Sequence, residues 1–333
     1  MSKRILYIIL FFTLVSRAVA QDPFFSQPFS ANQFLSPASV GKGIYDQKLN
    51  GNFRSQLIDN NKTYQTIFAG FDWKSSPQML NGINYLGLGI NVLSDQIMGG
   101  AINSNHVTFN AAYHIFTDNN YYNNISLGLG ATYTNRSVDR SKLTFGDQYD
   151  GSANLINLNT AELFKNNASN FSMNAGVVFN RHTDNEYLET GGSLFFQSQP
   201  DLISTTTSPS MTPKTILFVN YETGFFESYS ASFHASFIGK NSNRQILAGG
   251  SLGLPIQKTD YNDKRIYIGC YYRLGDALIP SFKLLLGEHI LGMSYDIYSN
   301  QLTQSTIKQN SFELTYTTYF GNRKSNLFRT IFD

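Results

Sequence analysis

The sequence predicts an all-β chain: a transmembrane antiparallel β-barrel of about fourteen strands, preceded by an aromatic-rich N-terminal segment that is a candidate plug. Three observations predict it. In Ile125-Ser126-Leu127-Gly128-Leu129-Gly130-Ala131-Thr132-Tyr133-Thr134 every odd position is apolar and every even one is small or polar. A strand sends successive side chains to opposite faces, so this stretch has one lipid-compatible face and one wettable face. The same rhythm recurs along the chain in segments of about ten residues, the length a tilted strand needs to cross a bilayer. Finally, the chain opens with a secretory signal, and no later apolar run approaches the roughly 18 residues of a membrane helix.

The composition agrees. There are 20 Tyr, 27 Phe and 26 Gly against only 14% charged residues, a profile rich in strand formers and poor in surface charge. A net charge of +2 supplies neither a basic patch nor an acidic tail, which removes nucleic acid as a partner.

The elements follow in order. Lys3 and Arg4 precede the apolar run Ile5 to Val15, and Ala18-Val19-Ala20 forms an A-x-A site, so residues 1–20 read as a signal peptide cleaved near Ala20. The mature chain is then expected to begin at Gln21. Residues 21–47 form a leader that does not alternate. Its Phe24, Phe25, Phe29 and Phe34, with Pro37, are the candidate partner-binding residues, because a flexible leader would not carry so many aromatics. The leader is expected to fill the lumen or to pack against the periplasmic rim.

Residues 48–320 read as the barrel. Period-two strands are predicted near 48–57, 63–74, 83–93, 104–116, 121–136, 170–181, 186–198, 212–224, 229–239, 244–254, 264–274, 277–287, 289–298 and 310–320, an even number as single-chain bacterial barrels require. Asp118-Asn119-Asn120, Asp184-Asn185, Asn241-Ser242-Asn243 and Gly275-Asp276 supply the turn chemistry between strands. The long gaps, 139–170, 200–213 and 299–310, are expected on one rim and the short turns on the other. A helical turn is expected within 160–168. Residues 321–333 read as a C-terminal extension, which leaves Phe320 as the terminal aromatic of the last strand in preference to Phe332.

Six charged residues fall on the polar parity of strands: Arg54, Asp72, Glu189, Arg273, Asp296 and Glu313. An ionised side chain facing lipid costs up to several kcal/mol, whereas one facing the lumen is hydrated or paired, so all six are expected inside. Cys270 falls on the opposite parity with Ile266, Ile268 and Tyr272 and reads as a small lipid-facing hydrophobe.

Enzymatic signals are weak. His106, His114, His182, His234 and His289 have no metal-ligand spacing, and no H-E-x-x-H, C-x-x-C or G-x-S-x-G motif occurs. Asp147 to Ser152 is oxygen-rich but lacks the spacing of a calcium loop. A barrel hydrolase would need serine, histidine and an orienting acid or amide on adjacent strands, and the His234 face offers only serines on its own strand. The expectation is a non-enzyme without cofactor or metal.

Several segments resemble, in order, the PorP/SprF family of type IX secretion outer-membrane proteins. Gln21-Asp22-Pro23-Phe24-Phe25-Ser26-Gln27 is similar to that family's Q-D-P-x-F-S-Q opening, and Ser36-Pro37-Ala38-Ser39-Val40-Gly41 to its N-P-A-x-x-G element, with Ser36 replacing Asn. Gly89 to Asp95, Ser141 to Tyr149, Gly292 to Asp296 and Glu313 to Tyr316 match further family segments. The resemblance implies an outer-membrane barrel of a Gram-negative bacterium. It would contact outer-membrane lipid, periplasmic components of type IX secretion and a secreted cargo or gliding adhesin, supporting export or surface anchoring without catalysis. The alternative is a porin-like channel for small solutes, which the small and charged lumenal parity would suit.

Overall fold

The computed structural model describes residues 23–58, 62–75, 84–143, 148, 167–196, 213–226, 229–241, 243–257, 264–298, 309–321 and 327–332. Among them are fourteen strands: β1 Gln47–Ile58, β2 Lys62–Lys74, β3 Tyr85–Ile97, β4 Ile102–Phe116, β5 Asn123–Val138, β6 Asn167–His182, β7 Glu186–Phe195, β8 Lys214–Phe225, β9 Tyr229–Lys240, β10 Asn243–Gln257, β11 Lys264–Arg273, β12 Ala277–Leu286, β13 His289–Tyr298 and β14 Gln309–Phe320. Every strand pairs antiparallel with its sequence neighbours, and β1 pairs with β14, so the sheet closes. Closure satisfies both strand edges, as a lipid environment demands of a sheet. No helix among the described residues is long and apolar enough to cross a membrane.

All fourteen predicted strands are present, with ends shifted by a few residues. Cross-strand pairing extends β3 to Ile97 and β5 to Val138, beyond where the alternation fades. The turn residues act as their chemistry dictates: the Asp118 carboxylate accepts from the amides of Tyr122 and Asn123 (3.2 and 2.8 Å), and Gly275 takes φ +72°. The connections spanning 139–166, 196–213 and 299–308 fall on one rim, called here the long-loop rim. Both ends of the barrel, Gln47 and Phe320, lie on the other, the short-turn rim. The helical turn expected within 160–168 lies outside the described residues up to 166, and 167–168 already belong to β6. The oxygen-rich loop is likewise outside them apart from Gln148.

The outer wall is apolar. On β5, Leu127 and Leu129 are 53% and 69% exposed, while Ser126 and Thr132 on the alternate parity are buried. Cys270 is on the outer face, as is Phe320 at the end of β14.

The inner wall is less uniform than small and polar residues alone would make it. Buried apolar side chains face inward on β7 to β13: Tyr187, Phe195, Ile216, Phe218, Leu247, Tyr267, Tyr271, Ile279, Leu285 and Ile290. They form one cluster with Phe29, Leu35, Ala38, Ile44 and Tyr45 of the N-terminal segment. The hydrophobic core therefore sits inside the barrel, where apolar wall residues have something to pack against.

Candidate functional site

The lumen and its contents are the candidate site. Residues 23–45 run through it, and all but Pro23, Phe24 and Gly43 are buried. Two 3₁₀ turns, Pro28–Ser30 and Pro37–Ser39, flank a single helical turn, Asn32–Leu35. Proline begins each 3₁₀ turn because its fixed φ suits the first helical position and its missing N–H would be unpaired there anyway. Ser36 caps the second turn by accepting from the Ala38 amide at 3.2 Å. Asn and Ser cap equally well, which accounts for Ser36 standing where the family motif has Asn.

At the long-loop end, Arg54, Arg273, Asp296 and Glu313 come together around the start of the leader. Asp296 Oδ2 accepts from Arg54 Nη2 at 2.8 Å and from Arg273 Nη2 at 2.6 Å, and its Oδ1 accepts from Ser26 Oγ at 2.6 Å. Glu313 accepts the Ser26 amide at 2.5 Å and the Gln27 amide at 3.0 Å. Arg54 also donates to Ser26 Oγ. The Phe24 ring lies against both guanidiniums, 4.5 Å from Arg54 and 4.7 Å from Arg273, a doubled cation–π contact. Ser26 thus takes its ligands from β1, β13 and β14, on both sides of the barrel's closing seam.

Glu189 and Asp72 lie apart from that cluster, near the short-turn end. Glu189 binds the other end of the leader: its Oε2 accepts from Lys42 Nζ at 2.6 Å and its Oε1 from Ser39 Oγ at 3.2 Å, with Tyr187 and Asn220 of the wall also donating to Oε2. Asp72 pairs with Lys48, 3.7 Å away on the neighbouring strand. The leader therefore starts beneath the long loops and descends to the short-turn rim, where β1 begins.

The other leader aromatics are each seated on the wall. Phe25 packs edge-on against Phe34 (5.2 Å) and Phe68 (6.1 Å), and Lys214 lies 4.6 Å over Phe34. Phe29 meets His234 at 4.9 Å and Tyr271 at 5.4 Å, with Lys283 4.1 Å above it. Pro37 leads the turn that rests on Gly128. Lys42, Lys48, Lys214, Lys283 and Glu222 are inward charges that the sequence reading passed over. Strand parity marks some of them: Lys283 shares its face with Ser281, and Glu222 with Asn220.

On its own strand His234 has only serines for polar neighbours, as the sequence reading held; the adjacent strand adds an amide which that reading did not place. Asn220 stands opposite it on β8, its Oδ1 2.5 Å from His234 Nδ1, and Ser236 Oγ is 3.1 Å from Nε2. Asn220 Nδ2 donates to Glu189 at 2.8 Å, which fixes the amide and makes His234 Nδ1 the donor. The miss arose because register between strands decides which residues face each other, and register is not written in one strand's periodicity. The row nevertheless lacks what acyl transfer needs. Ser236 pairs in the ladder with Phe218 on one side and Leu247 on the other, so the surrounding backbone is committed to the sheet rather than forming an oxyanion hole. Phe29 covers the imidazole.

The remaining histidines are also hydrogen-bonded within the protein: His106 to Thr134, His114 to Ser126 and the Val40 carbonyl, His182 to the Phe328 carbonyl, and His289 to Thr318. No group of three potential metal ligands occurs among the described residues.

Geometry of this kind defines an outer-membrane β-barrel whose interior is occupied by its own chain. The model of the type IX secretion system membrane protein PorP/SprF matches residues 18–318, and the chain belongs to that family. The family is one of secretion-system membrane proteins, and family and barrel fold together place the protein in the outer membrane, in contact with lipid. Comparison with curated proteins returns no match. Among solved structures, the toluene transporter TbuX of Ralstonia pickettii is similar in fold at 11% identity, with a TM-score of 0.50 over 87% of this chain and 94% of that one. A FadL homologue of Pseudomonas aeruginosa is similar at 10% identity, with a TM-score of 0.52 over the same shares.

Proposed function

We propose that this protein is a noncatalytic, plugged component of the type IX secretion system that supports export or surface anchoring of secreted adhesins through protein–protein contacts. One observation carries the reading: the lumen is taken up by residues 23–45, held at both ends by buried charged groups, Glu313 and Asp296 at one and Glu189 at the other. Such an interior suits a barrel that acts through its rims and loops. In this reading the signal peptide is removed near Ala20, periplasmic components of the apparatus meet the short-turn rim, and cargo or adhesin meets the long-loop rim. Deleting the gene should strip adhesins from the cell surface and abolish spreading; an unchanged surface proteome with normal motility would sink the proposal.

A porin-like channel for small solutes is the second reading, favoured by the row of charged and small residues on the inner wall. Planar-bilayer recording separates the two. A silent barrel supports the first, and steady open-channel conductance supports the second.

A further inference from the structure

The chain leaves β14 at Gly321 on the short-turn rim, yet residues 327–332 lie inside the barrel, with Arg329, Thr330, Ile331 and Phe332 buried. Their contacts are specific at each position. Thr330 Oγ1 donates to Glu222 Oε2 at 2.6 Å, and the Ile331 amide donates to the same oxygen at 3.0 Å. Tyr267 OH holds the other Glu222 oxygen at 2.9 Å. Phe332 stands edge-on to Phe29 at 5.3 Å and stacks on Tyr187 at 6.0 Å. The Phe328 amide donates to the Thr183 carbonyl at 3.0 Å, and the Arg329 guanidinium lies over Tyr45 and Tyr319 at 5.6 and 5.7 Å.

We propose that the short-turn mouth is a peptide-binding site, occupied in cis by the chain's own C-terminal segment, and that this occupancy latches the leader in the lumen. The ligand class follows from the wall. Glu222 is fully buried and calls for an N–H and a hydroxyl donor, and the Phe29–Tyr187 cleft calls for an aromatic ring two residues beyond the hydroxyl. A buried carboxylate stripped of two donors is costly, so the site exchanges its occupant for another peptide with the same donors rather than standing empty. The latch acts through Phe29, which touches the C-terminal segment on one side and His234 and Tyr271 of the wall on others. This assignment goes beyond the secretion role and does not depend on which cargo is exported.

The test uses the full-length protein in detergent, wild type and the double variant Thr330→Val/Phe332→Ala, with a fluorescent synthetic peptide of residues 327–332. The peptide should bind the double variant at least tenfold more tightly than wild type, whose own segment competes. A peptide carrying the same two substitutions should lose at least tenfold. Amide hydrogen exchange over Ser26–Lys42 should quicken in the double variant and slow again when native peptide is added. Equal binding to wild type and variant, or leader exchange unchanged by the substitutions, overturns the proposal. Neither substituted residue lies in a strand, and heat-resistant electrophoretic migration checks that the barrel stays closed. Thr330→Val alone in the chain, which keeps the aromatic anchor, should give an intermediate gain in peptide binding and so provides a second reading of the same contact.

Discussion

Gly41 and Gly87 meet backbone to backbone: a β-carbon built on Gly41 would stand 2.6 Å from the Gly87 Cα, and one on Gly87 would stand 2.9 Å from the Val40 carbonyl carbon. Gly41 also takes φ +71°, a conformation that other residues adopt only at a cost. The leader is thus pressed directly onto the wall at β3, and His114 holds the Val40 carbonyl there at 2.8 Å.

Gly87→Val should push the leader off this seat while leaving the strands paired. Overpacking of this kind costs about 1–3 kcal/mol. Hydrogen exchange should show Ala38–Lys42 losing protection with little change in β3 and β4. A leader that stays as protected as in wild type would mean that the wall, not the leader, gives way.

Glu313→Ala should be among the most damaging single changes inside the barrel. It leaves the Ser26 and Gln27 amides without their acceptor and removes one of the two carboxylates beside the buried Arg54 guanidinium. Breaking a buried charged contact in this way costs about 3–5 kcal/mol. Denaturant unfolding should show the loss, and replacing Arg54 by Met in the same chain should recover part of it. Because the pair is shielded from solvent, raising the salt concentration should do little to the wild type.

Opposite effects are expected on the two faces of β5. Leu129 is 69% exposed on the outer wall near the middle of its strand, so Leu129→Arg should cost about 2–4 kcal/mol in a bilayer. Leu129→Ala should cost far less. Folding equilibria in lipid vesicles measure both, and a similar penalty for the two would remove this face from the hydrocarbon.

Cys270 offers a chemical probe of the same boundary. It is exposed on the outer face between Ile268 and Tyr272. A lipid-soluble maleimide should label it in vesicles, whereas a charged, membrane-impermeant maleimide should not until the bilayer is dissolved. Rapid labelling by the charged reagent in intact vesicles would contradict its placement.

Most of the barrel was legible because its signal is local. Alternation in Leu86 to Val92 or Phe312 to Phe320 needs only one strand to be read, and parity sent Arg54 and Asp296 to the same face without knowledge of their contact. What lay beyond reach depended on parts that alternate with nothing. The leader has no period, so its aromatics announced packing but not a path. The C-terminal segment is too short to carry a pattern, and its Thr330 and Phe332 mean little until Glu222 and Phe29 are placed beside them. Small residues on the inner parity, such as Gly87 and Gly128, read as lumen lining; that they make room for another stretch of backbone becomes visible only with that backbone in place.

The two carboxylates that bind Ser26 lie 270 and 287 positions away, on the last two strands of the chain. Their pocket does not exist until β13 and β14 have been added and the seam with β1 has shut. The leader, made before every strand, therefore cannot take up its Ser26 contacts until the strands that supply them are in place. Long-range contacts of this span make its docking a separate, late event in biogenesis. An agent that captures the loose segment before the seam closes would trap an empty barrel.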